Sequence, residues 1–146
     1  MVHALEEIHR LLRPAGTLIE IHPAIGSPFV EVRSGGNVAF SEPDPGYDYE
    51  DDLLHAEASV ANVIDRGLFS LEDTRPFELR THAASVQEMR DHWAVAGAYD
   101  PEEKEAALVL RQDEMYARAH GVLERAPGSE LVYVEPAKMS KLLPLD

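Results

Sequence analysis

The first twenty-three residues constrain the fold more than any other stretch of this chain. Residues 4–23 read Ala-Leu-Glu-Glu-Ile-His-Arg-Leu-Leu-Arg-Pro-Ala-Gly-Thr-Leu-Ile-Glu-Ile-His-Pro. Leu5, Ile8, Leu11 and Leu12 recur at the spacing of a single helical face, so an amphipathic helix is expected. Pro14 cannot continue that helix, and Gly16 can take the positive φ that helix exits favour. Thr17 to Ile21 is then a short, mostly apolar strand, expected in the interior of a sheet with neighbours on both edges. A helix, a tight turn and a buried strand in direct succession point to an α/β protein.

The rest of the chain keeps alternating. Phe29 to Phe40 reads as a β-hairpin, with Val30 and Val32 alternating with Glu31 and Arg33 and Ser34-Gly35-Gly36-Asn37 as its turn. A Pro/Gly/Asp loop over 41–49 leads into a helix from about Glu50 to Arg66. Leu54, Ala58, Ala61 and Ile64 are its expected stripe, and Gly67 ends it. Phe77 to His82 alternates as a strand. Ser85-Val86-Gln87-Glu88 is a capping box that should open a helix running to about Val95. Asp100-Pro101-Glu102-Glu103 is a second helix start, with Asp as cap and Pro at the first helical position, and its helix should reach about Leu123. Pro127-Gly128 then turns into a final strand, 130–135. One domain over 1–146 is expected, with no internal repeat and no low-complexity segment.

The helix, the Arg13-Pro14-Ala15-Gly16 turn and the strand ending in His22-Pro23 resemble the helix and fifth strand of class I S-adenosylmethionine-dependent methyltransferases. In that family the turn is commonly Arg-Pro-Gly-Gly, so Ala15 departs from the pattern. Leu68-Phe69 and Phe77-x-x-x-x-His82-x-x-Ser85-x-x-Glu88 are similar to the approach to the family's sixth strand and helix. The resemblance implies a partial Rossmann-like fold. Its small mixed sheet would hold the fifth-, seventh- and sixth-like strands (17–21, 131–135 and 77–82) in that spatial order, with flanking helices and a hairpin added at 29–40 on the substrate side.

The same resemblance implies that the cofactor-binding half is missing. The family's first four strands, its Gly-rich loop and its ribose-binding acid would precede residue 4, which places Met1 inside the domain. A misassigned start, a gene remnant and a separate partner polypeptide remain open explanations. No Gly-x-Gly occurs among the nine glycines, and the loop needs glycine because the backbone approaches the cofactor closely. S-adenosylmethionine is therefore implied for a complete member, while this chain alone is expected to bind none and to be inactive. The reaction implied for the complete domain is direct methyl transfer to a small-molecule acceptor, achieved mainly by aligning the two reactants. A second, non-catalytic reading is an interaction module. Without the preceding strands, one edge of 17–21 is open to a second copy or a partner chain.

Composition narrows the alternatives. Only 13 Lys and Arg stand against 27 Asp and Glu, for a formal charge of −14. That argues against nucleic-acid or anionic-membrane binding, where phosphates require basic clusters. Cysteine is absent, which removes disulfides, thiolate metal sites and Cys nucleophiles. No apolar run approaches the length of a membrane span, and Glu6, Glu7 and Arg10 interrupt any signal-like stretch. A cytoplasmic protein is the reading.

His22 is the one candidate catalytic residue. In open α/β sheets ligands gather outside the carboxyl ends of strands. There His22 could serve as a base or an orienting hydrogen bond for a methyl acceptor. The commoner role of a His-Pro pair is to shape a turn. Glu42, Asp44, Asp48, Glu50, Asp51 and Asp52 lack the calcium-loop pattern and read as a solvated helix start. The seven histidines show no zinc spacing, and no metal site is expected. His9 and His55 sit in helices, in surface or packed roles. Trp93, Tyr99 and Tyr116 are too widely spaced for a stacking platform and are expected in the core or an interface. Neither a nucleophile elbow nor a phosphate-binding loop is present.

Overall fold

The computed structural model describes residues 1–97 and 105–145. Among them are four helices, α1 (Val2–Leu11), α2 (Glu50–Asp65), α3 (Val86–Gly97) and α4 (Ala106–Arg125). The strands are β1 (Leu18–Pro23), β2 (Phe29–Ser34), β3 (Asn37–Pro43), β4 (Phe69–Ala83) and β5 (Glu130–Pro144). The architecture is α/β with an antiparallel sheet in the order β1-β5-β2-β3, and β4 also pairs with β5. The Asp100-Pro101 helix start lies outside the described residues.

The chain divides into two compact units. The first comprises Met1–Gly26, Asp48–Glu78 and Pro136–Asp146; the second comprises Ser27–Tyr47 and Leu79–Glu135.

In the first unit β1 pairs antiparallel with β5 from Leu18↔Leu142 to Pro23↔Ala137. Opposed residues share a face, so Leu18, Glu20 and His22 lie with Leu142, Ser140 and Lys138. Helices α1 and α2 cover this face. Leu5 of α1, Val60 and Val63 of α2, Phe69 and Leu142 form its buried core, with Leu18 packed against them. Ile19 and Ile21 occupy the other face and remain 50% and 59% exposed. Thr74 Oγ1 lies 3.3 Å from Ser140 Oγ, placing β4 along the edge of β5 that β1 leaves free.

In the second unit β2 pairs with both β3 and the first half of β5. Gly35 and Gly36, at φ +55° and +86°, supply the left-handed pair that a two-residue hairpin turn requires. Val30, Val32, Met89, Met115, Ala119 and Leu131 build the core. Helix α3 starts as a capping box: the Glu88 N–H donates to Ser85 Oγ, and the Glu88 carboxylate accepts from the Ala84 N–H.

Several expectations are corrected. The sheet is antiparallel rather than mixed, because β5 runs opposite to the strands beside it. β5 does lie between β1 and β4, but of the residues expected beside 17–21, 131–134 pair with β2 instead, and β1 pairs with 137–142. The hairpin is longer than 29–40 and is part of the sheet, since β2 pairs with β5. The strand expected over 17–21 extends to Pro23 and is covered on only one face. Gly16 has no positive φ. Space explains it instead, because a Cβ there would crowd Leu12 Cδ2 and lie 2.9 Å from the Arg13 carbonyl oxygen. Leu11 and Leu54 point outward, and the stripe of α2 runs through Leu53, Val60 and Val63. Strands β4 and β5 extend well past 77–82 and 130–135.

Candidate functional site

The first unit holds a polar cluster under α2 that grows from the two-residue period of β1. Glu20 and His22 are i and i+2, so both side chains meet the covered face. His22 is therefore inside the strand rather than just beyond it, and the residue is 8% exposed. Its Nδ1 is hydrogen-bonded to Glu20 Oε1. Its Nε2 lies 3.6 Å from Glu57 Oε1, too far for a hydrogen bond. Glu57 stands four residues after Leu53, on the same stripe of α2, and its Oε1 accepts from Lys138 Nζ at 2.7 Å. Lys138 is directly opposite His22 across the ladder.

Lys138 beside it holds the Glu57 carboxyl below the usual carboxylate range, and His22 adds a smaller pull in the same direction. Glu20 Oε2 and His22 Nε2 are buried without a hydrogen-bond partner. A carboxylate on Nδ1 fixes the ring and its tautomer, the arrangement that prepares an imidazole for acid–base work. Here, however, the other ring nitrogen faces Glu57 beneath a helix rather than open space.

A second cluster lies in the second unit. Asp44 is 7% exposed. Its carboxylate accepts from the Gly46 N–H, from Gln112 Nε2 at 2.9 Å and from the Tyr133 hydroxyl at 3.1 Å. The expectation of a solvated helix start therefore fails for Asp44, although Glu50, Asp51 and Asp52 do occupy the exposed first turn of α2. Burial, with the Asp44 charge nearby, raises the Tyr116 hydroxyl to about 12 and raises Tyr133 still further. Trp93 packs edge-on against Tyr133, with centroids 4.8 Å apart. Trp93 and Tyr116 are core groups, as expected; Tyr99 lies outside the described residues.

Of the other histidines singled out, His9 bonds the Leu145 carbonyl through Nε2 and meets the Phe69 ring edge-on. His55 is exposed. No group of three or more His, Asp or Glu suited to a metal ion occurs among the described residues, and no helix there is long and apolar enough to cross a membrane.

The glycine geometry also bears on a nucleotide cofactor. Gly26, in the loop after β1, stands alone, and a Cβ there would rest 3.6 Å from Pro136 Cγ. Gly35 and Gly36 form a hairpin turn with nothing within 4 Å of an added Cβ. Such glycines make turns rather than the close-packed cradle that a nucleotide cofactor's Gly-rich loop forms. The chain matches no protein-family model, no curated protein and no solved structure.

Sequence reasoning passed over Glu57 and Lys138 and misread Asp44 as part of a solvated helix start. Glu57 fell outside the stripe expected for α2 and faces the sheet only because Leu53 rather than Leu54 turns inward. Lys138 had no signal, because its partner is 81 residues away along the chain, and the Gln112 and Tyr133 partners that bury Asp44 are 68 and 89 away.

Proposed function

We propose that this chain supplies the acceptor-side strands of an S-adenosylmethionine-dependent methyltransferase-like domain acting on a small molecule, and that alone it transfers no methyl group. The observation that carries the reading is the placement of β5, which lies between β1 and β4 and runs antiparallel to both. The resemblance implies this order for the fifth, seventh and sixth strands, with the later half of β5 rather than 131–135 in the seventh place beside β1. The one-sided covering of β1 agrees with it, since α1 and α2 share one face and Ile19 and Ile21 stay exposed on the other.

Within this reading Lys138 of β5 ties the sheet to Glu57 of α2, and His22, held by Glu20 beneath that helix, does not meet the acceptor. The cofactor is the business of residues other than those described, so no step of the transfer is assigned here.

Calorimetric titration of S-adenosylmethionine into the purified chain tests the cofactor part, with no binding expected into the millimolar range. Micromolar binding would overturn it. Mixing the chain with a separately made fragment carrying four strands and a Gly-x-Gly loop tests the rest. Cofactor binding that appears only in the mixture is expected. A mixture as silent as its parts would count against the methyltransferase reading.

A further inference from the structure

We propose that a second copy of this chain docks along the free edge of β1, antiparallel, about a two-fold axis through Ile21. The edge comes first. The Ala24 N–H donates to the Pro136 carbonyl, one step beyond the Pro23↔Ala137 pair. Backbone groups alternate sides along a strand, so 18, 20, 22 and 24 address β5 while 19, 21 and 23 point outward. Pro23, which lacks an N–H, thus falls where edge strands tolerate proline. The outward row offers two N–H groups, from Ile19 and Ile21, and three carbonyls, beside two half-exposed isoleucine side chains. Such a row is a template for another strand.

Charge then selects the occupant and the register. A two-fold axis normal to the sheet keeps like faces together, so opposed residues have equal parity. Centring on Glu20 sets Glu20 against the partner's Glu20, and like charges directly opposed are destabilising. Centring on His22 opposes two histidines, and centring on Ile19 sets Glu20 against an apolar Leu18. Centring on Ile21 sets Glu20 against the partner's His22, and does so twice.

That register also uses the outward donors. Ile21 N–H meets the partner's Ile21 carbonyl, and Ile19 N–H meets the partner's Pro23 carbonyl. The donor that proline lacks would have faced the Ile19 carbonyl, which stays with water. Glu20 Oε2 and His22 Nε2, the buried atoms of this strand without partners, come beside the partner's His22 ring and the partner's Glu20 carboxylate, each able to hydrogen-bond. The net −14 on each copy opposes association over long range, so the dimer should tighten as salt screens it.

The chain has no cysteine, so I21C and I19C introduce single thiols. Across the proposed axis two residues 21 form a hydrogen-bonded pair with Cα atoms roughly 5.5 Å apart, within disulfide reach. Two residues 19 are offset by four positions, roughly 13 Å. Sedimentation equilibrium is expected to give twice the 16.2 kDa chain mass, more completely at 0.5 M than at 0.05 M NaCl. Under mild oxidation I21C should cross-link almost completely and I19C only by slow collision.

A monomer at roughly 100 µM, far above the concentration where a micromolar dimer forms, would overturn the proposal. So would a dimer in which I21C does not outpace I19C, or one found only with a different polypeptide. The proposal does not rest on the methyltransferase reading, whose test is cofactor binding.

Discussion

Asp44 is the residue on which the second unit's polar interior depends. It accepts from a backbone N–H, an amide and a phenol while almost fully buried. Asp44→Ala would leave the Tyr133 hydroxyl and the Gln112 amide without an acceptor, costing about 2–4 kcal/mol in a urea unfolding experiment. Tyr133→Phe removes one charge-assisted bond and should cost about 1–3 kcal/mol by the same measurement. Glu135 behaves oppositely, because burial raises its carboxyl above the ordinary range. A raised folded-state value means its contribution to stability is fully present below the unfolded value and is lost as pH rises through the folded one. Glu135→Gln should therefore raise the urea midpoint at pH 7, and the gain should vanish near pH 4. Glu57 has the reverse sign. Its depressed carboxyl stabilises above the unfolded value, and that contribution fades as acid protonates it.

At the scale of elements, the hairpin turn and the helix cap are the local devices to test. Gly36→Ala places a Cβ at φ +86° and should cost about 1 kcal/mol. Ser85→Ala removes the acceptor for the Glu88 N–H and should cost about 1 kcal/mol of thermal stability, read by calorimetry. Both devices were legible in the sequence because their chemistry is complete within four residues. The helix α1, the strand β1 and the core of β4 were legible for the same reason, through short periodic patterns.

The second half of β5 was not. Pro136 reads as a strand end, yet only its carbonyl is called upon, by the Ala24 N–H. The alternation Ala137, Lys138, Met139, Ser140 gains meaning only once β1 lies beside it. The candidate site was half legible. Glu20 and His22 lie two residues apart, so their shared face follows from strand period alone. Glu57 and Lys138 join them only through the fold. The stripe of α2 was misread by one position for a related reason: Leu53 and Leu54 are interchangeable as a sequence pattern, and the sheet decides which turns inward.

For the whole molecule, charge is the dominant variable. A formal charge of −14 on 146 residues repels itself in the folded state, and salt screens exposed charges beyond about 8–10 Å. The melting temperature should therefore rise between 20 and 500 mM NaCl, and differential scanning calorimetry reads it directly. A flat or falling melting temperature would show that the local ion pairs, such as Arg118 with Glu42 and Arg66 with Glu6, outweigh the repulsion.

The dependence of the sheet on one strand also sets a timetable. β1, β2 and β4 all pair with β5, and all three precede it in the chain. During synthesis each must wait, with an unsatisfied edge, until the residues of β5 have left the ribosome. Long-range pairings of this kind are slow to form and expose strand edges meanwhile. The nascent protein is thus a natural client for chaperones that shield extended segments, and a ribosome stalled before residue 130 would carry β1, β4 and the β2–β3 hairpin without the strand that joins them.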